Sequence, residues 1–127
     1  MLIDSSAWIE FLRGTDSTIC RRVDAALDSV IVTTDPIVME LTAGALHESE
    51  LDNVGALLGR ARMIRCVPDD YLAAAHIYRT ARLGGETIRS MFDCLIAAVA
   101  IRADVPLLHA DHDFDVIARH SSLRILS

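Results

Sequence analysis

Residues 91–113, MFDCLIAAVAIRADVPLLHADHD, decide the fold of this chain. Asp93 stands near the start of a helix-like apolar run. Residues 105–108 then predict a short buried strand, and Asp111 and Asp113 follow soon after it. A carboxylate at a helix start, together with carboxylates just past the C-terminal end of a strand, is the arrangement with which α/β proteins build a site at a sheet edge.

Four other short apolar segments predict β-strands elsewhere in the chain. They cover residues 1–3, 30–33, 63–67 and 123–126. Stretches with apolar side chains at helical spacing lie between the strands, and one of them begins at the pair Asp35-Pro36, where Asp35 is predicted to cap the helix. Because strands and helices alternate, we predict a mainly parallel sheet of about five strands with helices on both faces, in one domain over residues 1–127.

Composition favours a cytoplasmic globular protein. Hydrophobic residues make up 52% of the chain, which is enough for a core without disulfides, and the three cysteines are odd in number and far apart. Every apolar run is shorter than the roughly 18 residues that a membrane span needs. Since no basic segment precedes the first apolar residues, we also expect no signal peptide.

The charge of the chain limits the kinds of nucleic-acid protein that it can be. A net charge of −6 argues against a protein that coats nucleic acid without regard to sequence. This net charge is compatible with a nuclease, because clustered catalytic acids contribute to the excess of negative charge. All twelve basic residues are arginine, whose planar guanidinium suits phosphates and carboxylates, although codon usage in a GC-rich genome is the stronger explanation of this bias.

Four carboxylates are predicted to meet at one edge of the sheet. Asp4 follows the first strand, Glu40 lies on the helix after the second, Asp93 begins the helix before the fourth, and Asp111 follows the fourth. Carboxylates that close repel one another unless a cation lies among them. Oxygen ligands without paired His or Cys favour Mg²⁺ or Mn²⁺, which suits phosphodiester hydrolysis. Helix capping or solvation would also explain each acid, so spacing alone leaves the reaction open.

Four segments of the chain resemble, in order, the four motifs of the PIN domain. They are IDSSAWI at residues 3–9, Glu40-Leu41, FDCLIAA at 92–98 and LHADHDF at 108–114. With the chain length, their order is similar to that of the VapC-type toxin nucleases of bacterial toxin–antitoxin pairs. The resemblance covers essentially the whole chain and implies a PIN-like three-layer α/β/α sandwich.

The resemblance implies a Mg²⁺-dependent endoribonuclease, with Mn²⁺ as a possible substitute, that acts on RNA. The family's catalytic and metal-binding acids carry over to Asp4, Glu40, Asp93 and Asp111. Asp113 matches a further acid that in some members helps to hold a second metal ion, and Ser6 matches a small polar residue that supports the first aspartate. The family often has Thr or Ser where this chain has His109, which puts the hydrogen bonding of the fourth motif in question.

The resemblance also implies a VapB-type antitoxin as partner. We expect it to cover an apolar groove around Trp8, Ile9 and Leu12 and to place an Arg or Lys near the acids, although Trp8 would equally suit the core. A homodimer is expected because paired assemblies of this kind are the commonest.

Three arginines flank the Gly84-Gly85 loop and are candidate contacts for RNA phosphates. They are Arg79, Arg82 and Arg89. Their position in the sequence, shortly before Asp93, is the reason for this hypothesis, and simple solvation at the surface is the alternative.

Three other functions are compatible with parts of the pattern. A haloacid-dehalogenase-type phosphatase also begins with a strand and an aspartate, but it needs a second aspartate where Ser6 stands and a lysine, which this chain lacks. A catalytically inert PIN-like binding module and a housekeeping RNA-processing nuclease remain open. Metal binding separates the inert module from an active nuclease, since only the latter needs the ion.

Overall fold

The computed structural model describes residues 1–126, which form four strands and seven helices. The strands are β1 (Leu2–Ile3), β2 (Val32–Thr33), β3 (Arg62–Met63) and β4 (Leu107–Leu108). The helices are α1 (Ser5–Leu12), α2 (Thr18–Ala26), α3 (Asp35–Gly44), α4 (Glu48–Leu58), α5 (Pro68–Leu83), α6 (Met91–Ala103) and α7 (Asp113–Arg119). The predicted alternation of strands and helices is confirmed.

The sheet is parallel and has the order β3-β2-β1-β4. Leu2 pairs with Val32 on one side and with Leu107 on the other, and Ile3 pairs with Leu108. Because all four strands point the same way, their C-terminal ends share one edge. The segments that follow β1, β2 and β4 at that edge carry three of the four predicted acids.

The third strand ends earlier than the sequence predicted. Ile64 still donates its N–H to the Thr33 carbonyl at 2.8 Å, but the Cys66 N–H donates to the Asp35 carboxylate at 3.1 Å, which ends the pairing. The same contact corrects the prediction that Asp35 caps a helix. Thr34 precedes the first turn of α3 as the N-cap, and the Asp35 side chain faces Arg65 and Cys66 instead.

The predicted fifth strand, residues 123–126, contributes a single parallel bridge between Leu107 and Ile125. Leu107 donates its N–H to the Arg124 carbonyl and accepts one from Leu126, both at 2.9 Å. One bridge at the sheet edge is too short to count as a strand. The predicted number of about five strands is therefore reached only if this bridge is included. Residue 127 lies outside the described range.

Helix α6 is the central buried element of the molecule. Its residues from Asp93 to Ala100 are all buried, as the apolar run predicted. Full burial of one large aliphatic side chain, such as Ile96, contributes about 1.5–3 kcal/mol relative to exposure, so this helix is strongly anchored. It ends at Asp104, whose left-handed backbone (φ 54°) turns the chain toward β4. A buried α6 therefore holds Asp93 in a fixed position beneath the sheet edge.

Trp8 belongs to the core, where it is 1% exposed, and this corrects the expectation that it lines a surface groove. It lies edge-on to Phe11, with ring centroids 6.3 Å apart. The three cysteines are free thiols, as predicted from their spacing. Within residues 1–126, helices long and apolar enough to cross a membrane are absent.

Candidate active site

Asp4 leaves β1 and serves as the N-cap of α1. Its Oδ2 atom accepts hydrogen bonds from the Ser6 N–H at 2.9 Å and from the Ser6 hydroxyl at 2.5 Å. The Ser6 oxygen in turn accepts the Ala110 N–H at 3.0 Å. Ser6 thereby links the C-terminal ends of β1 and β4. Asp4 both caps α1 and lies at the candidate site, so the two predicted roles are compatible.

Three aspartates lie close enough to share one cation. One carboxylate oxygen from each of Asp93, Asp111 and Asp113 lies within 4.8 Å of the others. Asp93 and Asp113 are buried, whereas Asp111 is partly exposed. The Asp113 N–H donates to Asp111 Oδ1 at 3.0 Å, which fixes the loop after β4.

Glu40 approaches the cluster from α3. Its Oε2 atom accepts a hydrogen bond from the Ser5 hydroxyl at 3.3 Å. Because Glu40 stands between the apolar residues Met39 and Leu41, the sequence alone did not show which way its side chain points. The structure turns Glu40 toward α1, while Met39 is exposed and Leu41 is buried. Carboxylates from four separate segments therefore converge at the predicted edge.

Burial, together with the negative charges of neighbouring acids, raises the pKa of three of these carboxyl groups. Burial, followed by the charges of Asp4, Asp111, Glu40 and Asp113, raises the pKa of Asp93 to about 8. Burial also raises the pKa of Asp4, against the opposing effect of its hydrogen bonds from Ser6. The pKa of Glu40 is raised by burial and by Asp4. Without a cation, the cluster therefore holds protons that ordinary carboxyl groups release.

Two buried oxygens of the cluster are available to a ligand. Asp4 Oδ1 and Glu40 Oε1 are buried and have no hydrogen-bond partner among the described residues. A buried carboxylate oxygen without a partner is costly, and a divalent cation would satisfy it. The set of donors is entirely carboxylate oxygen, which fits Mg²⁺ or Mn²⁺. The residues present therefore fit a divalent ion.

His109 takes the part that a Thr or Ser side chain would play in the fourth motif. Its Nδ1 atom accepts the Asp111 N–H at 3.1 Å, and its Nε2 atom lies 3.3 Å from Asp115. The ring also packs on Phe114, with centroids 5.3 Å apart. A Ser or Thr hydroxyl two residues before Asp111 can accept the same hydrogen bond, so His109 fixes this turn in an equivalent way.

Only one of the three candidate arginines contacts the acids in the described structure. Arg89 lies with its guanidinium 3.4 Å from Asp113 and 3.7 Å from Asp111. Arg82 lies over the Tyr78 ring in the last turn of α5, and Arg79 is exposed on the same helix. Their position shortly before Asp93 in the sequence suggested all three arginines as phosphate contacts, but it could not show that Arg89 alone lies at the acids.

A groove of about 490 Å³ opens beside Glu40 between α1, α3 and α4. Ile9 and Leu12 line it, as predicted, and they are 38% and 40% exposed. Leu46 adds an apolar side chain that is 82% exposed. The groove therefore joins exposed apolar surface directly to one acid of the cluster.

Comparison with known proteins relates this arrangement to a family. A family model described as PIN domain matches residues 1–120. Ribonuclease VapC11 of Mycobacterium tuberculosis is 43% identical over 132 aligned residues, which take in 100% of this chain and 98% of the relative.

Two solved structures share the fold at lower identity. VapBC2 from Rickettsia felis, bound to a DNA fragment from their promoter, has a TM-score of 0.78 at 14% identity and covers 98% of this chain and 96% of its own. VapBC-5 from Mycobacterium tuberculosis, a member of the VapBC family of toxin-antitoxin systems, has a TM-score of 0.68 at 22% identity and covers 98% and 95%. At these identities the two structures establish the fold alone.

Proposed function

The chain belongs to the PIN-domain family and, within it, to the VapC ribonucleases, and we propose that it is a metal-dependent endoribonuclease that acts in the cytoplasm. It is the toxin of a type II toxin–antitoxin pair and inhibits growth by cleaving RNA. The observation that carries this function is the convergence of Asp4, Glu40, Asp93 and Asp111 from four separate segments, with buried oxygens left unpaired on two of them.

The carboxylates divide the work of the site in our proposal. Asp93 and Asp111 hold the ion, with the free oxygen of Asp4 beside them, and Ser6 orients Asp4. Glu40 borders the site and is suited to hold a proton or a water molecule, since its raised pKa favours proton exchange. A bound Mg²⁺ or Mn²⁺ supplies Lewis-acid stabilisation of the phosphoryl oxygens and lowers the pKa of a bound water.

RNA binding in this proposal depends on exposed arginines near the site. Arg89 is 75% exposed and contacts the acidic cluster, so it can reach a phosphate of an RNA strand that lies there. Arg82 and Arg79 lie further along α5 and are secondary candidates. The net charge of −6 makes such local arginines necessary for attracting RNA.

The antitoxin partner fits the groove between α1, α3 and α4. A short apolar helix or strand of a VapB-type antitoxin would bury Ile9, Leu12 and Leu46 there. Glu40 lines the groove, so an Arg or Lys of the partner could pair with the Glu40 carboxylate and offset the negative charge of the cluster. Inhibition would follow because a cation held at Glu40 would repel a divalent ion bound at the neighbouring aspartates. We also propose that the chain forms a homodimer.

Co-expression with the small reading frame beside its gene tests this function. The chain should arrest growth when it is expressed alone, because free nuclease cleaves cellular RNA. It should be tolerated with the partner and recovered as a tight complex. Leu12→Asp should weaken the complex by placing an unpaired charge in the apolar groove. Val30→Asp serves as the matched control, since Val30 is 75% exposed outside the groove. Normal growth during expression of the chain alone would make a housekeeping nuclease the better assignment.

A further inference from the structure

Both carboxylate oxygens of Asp113 are engaged by a single residue, Arg89. The Arg89 backbone N–H donates to Asp113 Oδ2 at 3.1 Å, and the guanidinium Nε atom lies 3.4 Å from Asp113 Oδ1. The Nη2 atom of the same guanidinium lies 3.7 Å from Asp111 Oδ1. Asp113 is buried, with 5% of its surface exposed, so solvent does little to neutralise it. The positive charge beside Asp113 is therefore supplied from within the chain.

The segment that carries Arg89 is fixed at several points. Glu86 accepts hydrogen bonds from Arg119 and pairs with His120 Nε2 at 2.9 Å, both near the C-terminal end of α7. A Cβ atom at Gly84 would lie 2.7 Å from His120 Cε1, so the lack of a side chain at Gly84 lets the His120 ring pack this closely. Ile88 is 2% exposed and anchors the same segment in the core. The backbone of Arg89 is consequently held beside Asp113 by the fold.

We propose that Arg89 acts as the second cation of the site, so that this chain binds one divalent ion where a two-metal nuclease binds two. The inference rests on the proposed function, because it presupposes the ion held by Asp93 and Asp111. Asp113 then serves as the anchor of Arg89 and does not ligate a metal. This differs from the role of a second-metal ligand that the family resemblance implies for Asp113.

Charge and geometry both favour this assignment. A second divalent ion on the Asp111–Asp113 side would lie beside the Arg89 guanidinium, and two neighbouring cations repel. A guanidinium has five N–H donors in a plane, so Arg89 can contact two carboxylates and still present donors to solvent. With 75% of its side chain exposed, Arg89 can offer those donors to a phosphate oxygen. In two-metal sites the second ion stabilises the leaving oxygen, and an arginine can supply part of the positive charge that this requires.

Counting bound Mn²⁺ on the purified full chain tests the proposal. Calorimetric titration should give one Mn²⁺ per wild-type chain and two per Arg89→Gln chain, because loss of the guanidinium opens the Asp111–Asp113 side. Electron paramagnetic resonance should show exchange coupling only in Arg89→Gln, since two ions about 4 Å apart interact magnetically. Arg89→Ala is a second test of the same loss. Arg124→Gln is the matched control, since Arg124 pairs with Asp104, and it should bind one ion.

The possible results separate this inference from the proposed function. Two ions on the wild-type chain would overturn the role of Arg89 while leaving the nuclease assignment intact. A single ion on both folded Arg89 variants would also overturn the role of Arg89, because the Asp111–Asp113 side would then have no affinity for a second cation even without the guanidinium. Absence of any Mn²⁺ binding by the wild-type chain would refute the metal site itself and with it the proposed function.

Discussion

Asp93→Asn should abolish RNA cleavage by the purified chain while leaving it folded. Asp93 is the only acid of the cluster that the central helix α6 carries, and asparagine keeps its shape but offers a neutral ligand. The loss of a metal ion's contribution, several kcal/mol of transition-state stabilisation, corresponds to a rate reduction of about 10³-fold or more. Cleavage of an end-labelled RNA in Mn²⁺ buffer measures this effect.

The stability of the same variant should move in the opposite direction. In the absence of metal, the melting temperature of Asp93→Asn should equal or exceed that of the wild type, because burial and four neighbouring carboxylates disfavour the ionised aspartate. Asp104→Asn is the matched control: Asp104 is 92% exposed, and asparagine also accepts its left-handed backbone. That control should cleave RNA normally. Wild-type cleavage by Asp93→Asn would remove Asp93 from the active site.

Mn²⁺ should raise the melting temperature of the wild-type chain by roughly 10 °C at a hundredfold excess over its Kd. An ion that binds only the folded state at this excess adds about 2.7 kcal/mol to the free energy of unfolding, which produces a shift of this size in a domain of this length. Differential scanning calorimetry measures it. The shift should disappear in the Asp4→Ala/Asp111→Ala double variant, because the segments after β1 and β4 then no longer supply the carboxylates of residues 4 and 111.

The effect of pH on this shift has a definite sign. The pKa of Asp93 is raised from 3.8 to about 8, so the metal-free folded chain binds a proton that the unfolded chain releases. That contribution to stability is complete below about pH 4 and is lost as the pH rises to about 8. Metal binding requires the ionised carboxylate, so the Mn²⁺-induced shift should grow over the same range, with release of protons. A shift that survives in the double variant, or that shrinks with rising pH, would place the ion elsewhere.

The parallel sheet explains why the acids could be located from the sequence. Once strands and helices alternate, residues that directly follow β1 and β4 must lie at one edge, and this placed Asp4 and Asp111 together. The apolar run of α6 likewise located Asp93, since it predicted a buried helix with Asp93 in its first turn, directly before the fourth strand. The short strands, two residues each, were harder to delimit because side-chain contacts such as Cys66 N–H to Asp35 end them.

Other features depend on contacts that no sequence pattern encodes. The link between Arg89 and Asp113 joins residues 24 positions apart and uses a backbone N–H, which every residue but proline possesses. The burial of Trp8 follows from packing around α1, whereas its neighbours Ile9 and Leu12, equally apolar, face the groove. The role of His109 depends on which ring nitrogen faces the Asp111 N–H. Each of these depends on the relative position of elements and not on local residue preference.

Mapping of RNA 5′ ends in cells tests the central claim most directly. Induced expression of the wild-type chain without its partner should produce a defined set of new 5′ ends, and these would also identify the RNA that it cleaves. The same ends should be absent from cells that express Asp93→Asn at an equal level, since the folded variant keeps its surface but lacks the carboxylate that we propose to hold the ion. New ends at the same sites in both strains, or in neither, would contradict an active site built on these carboxylates.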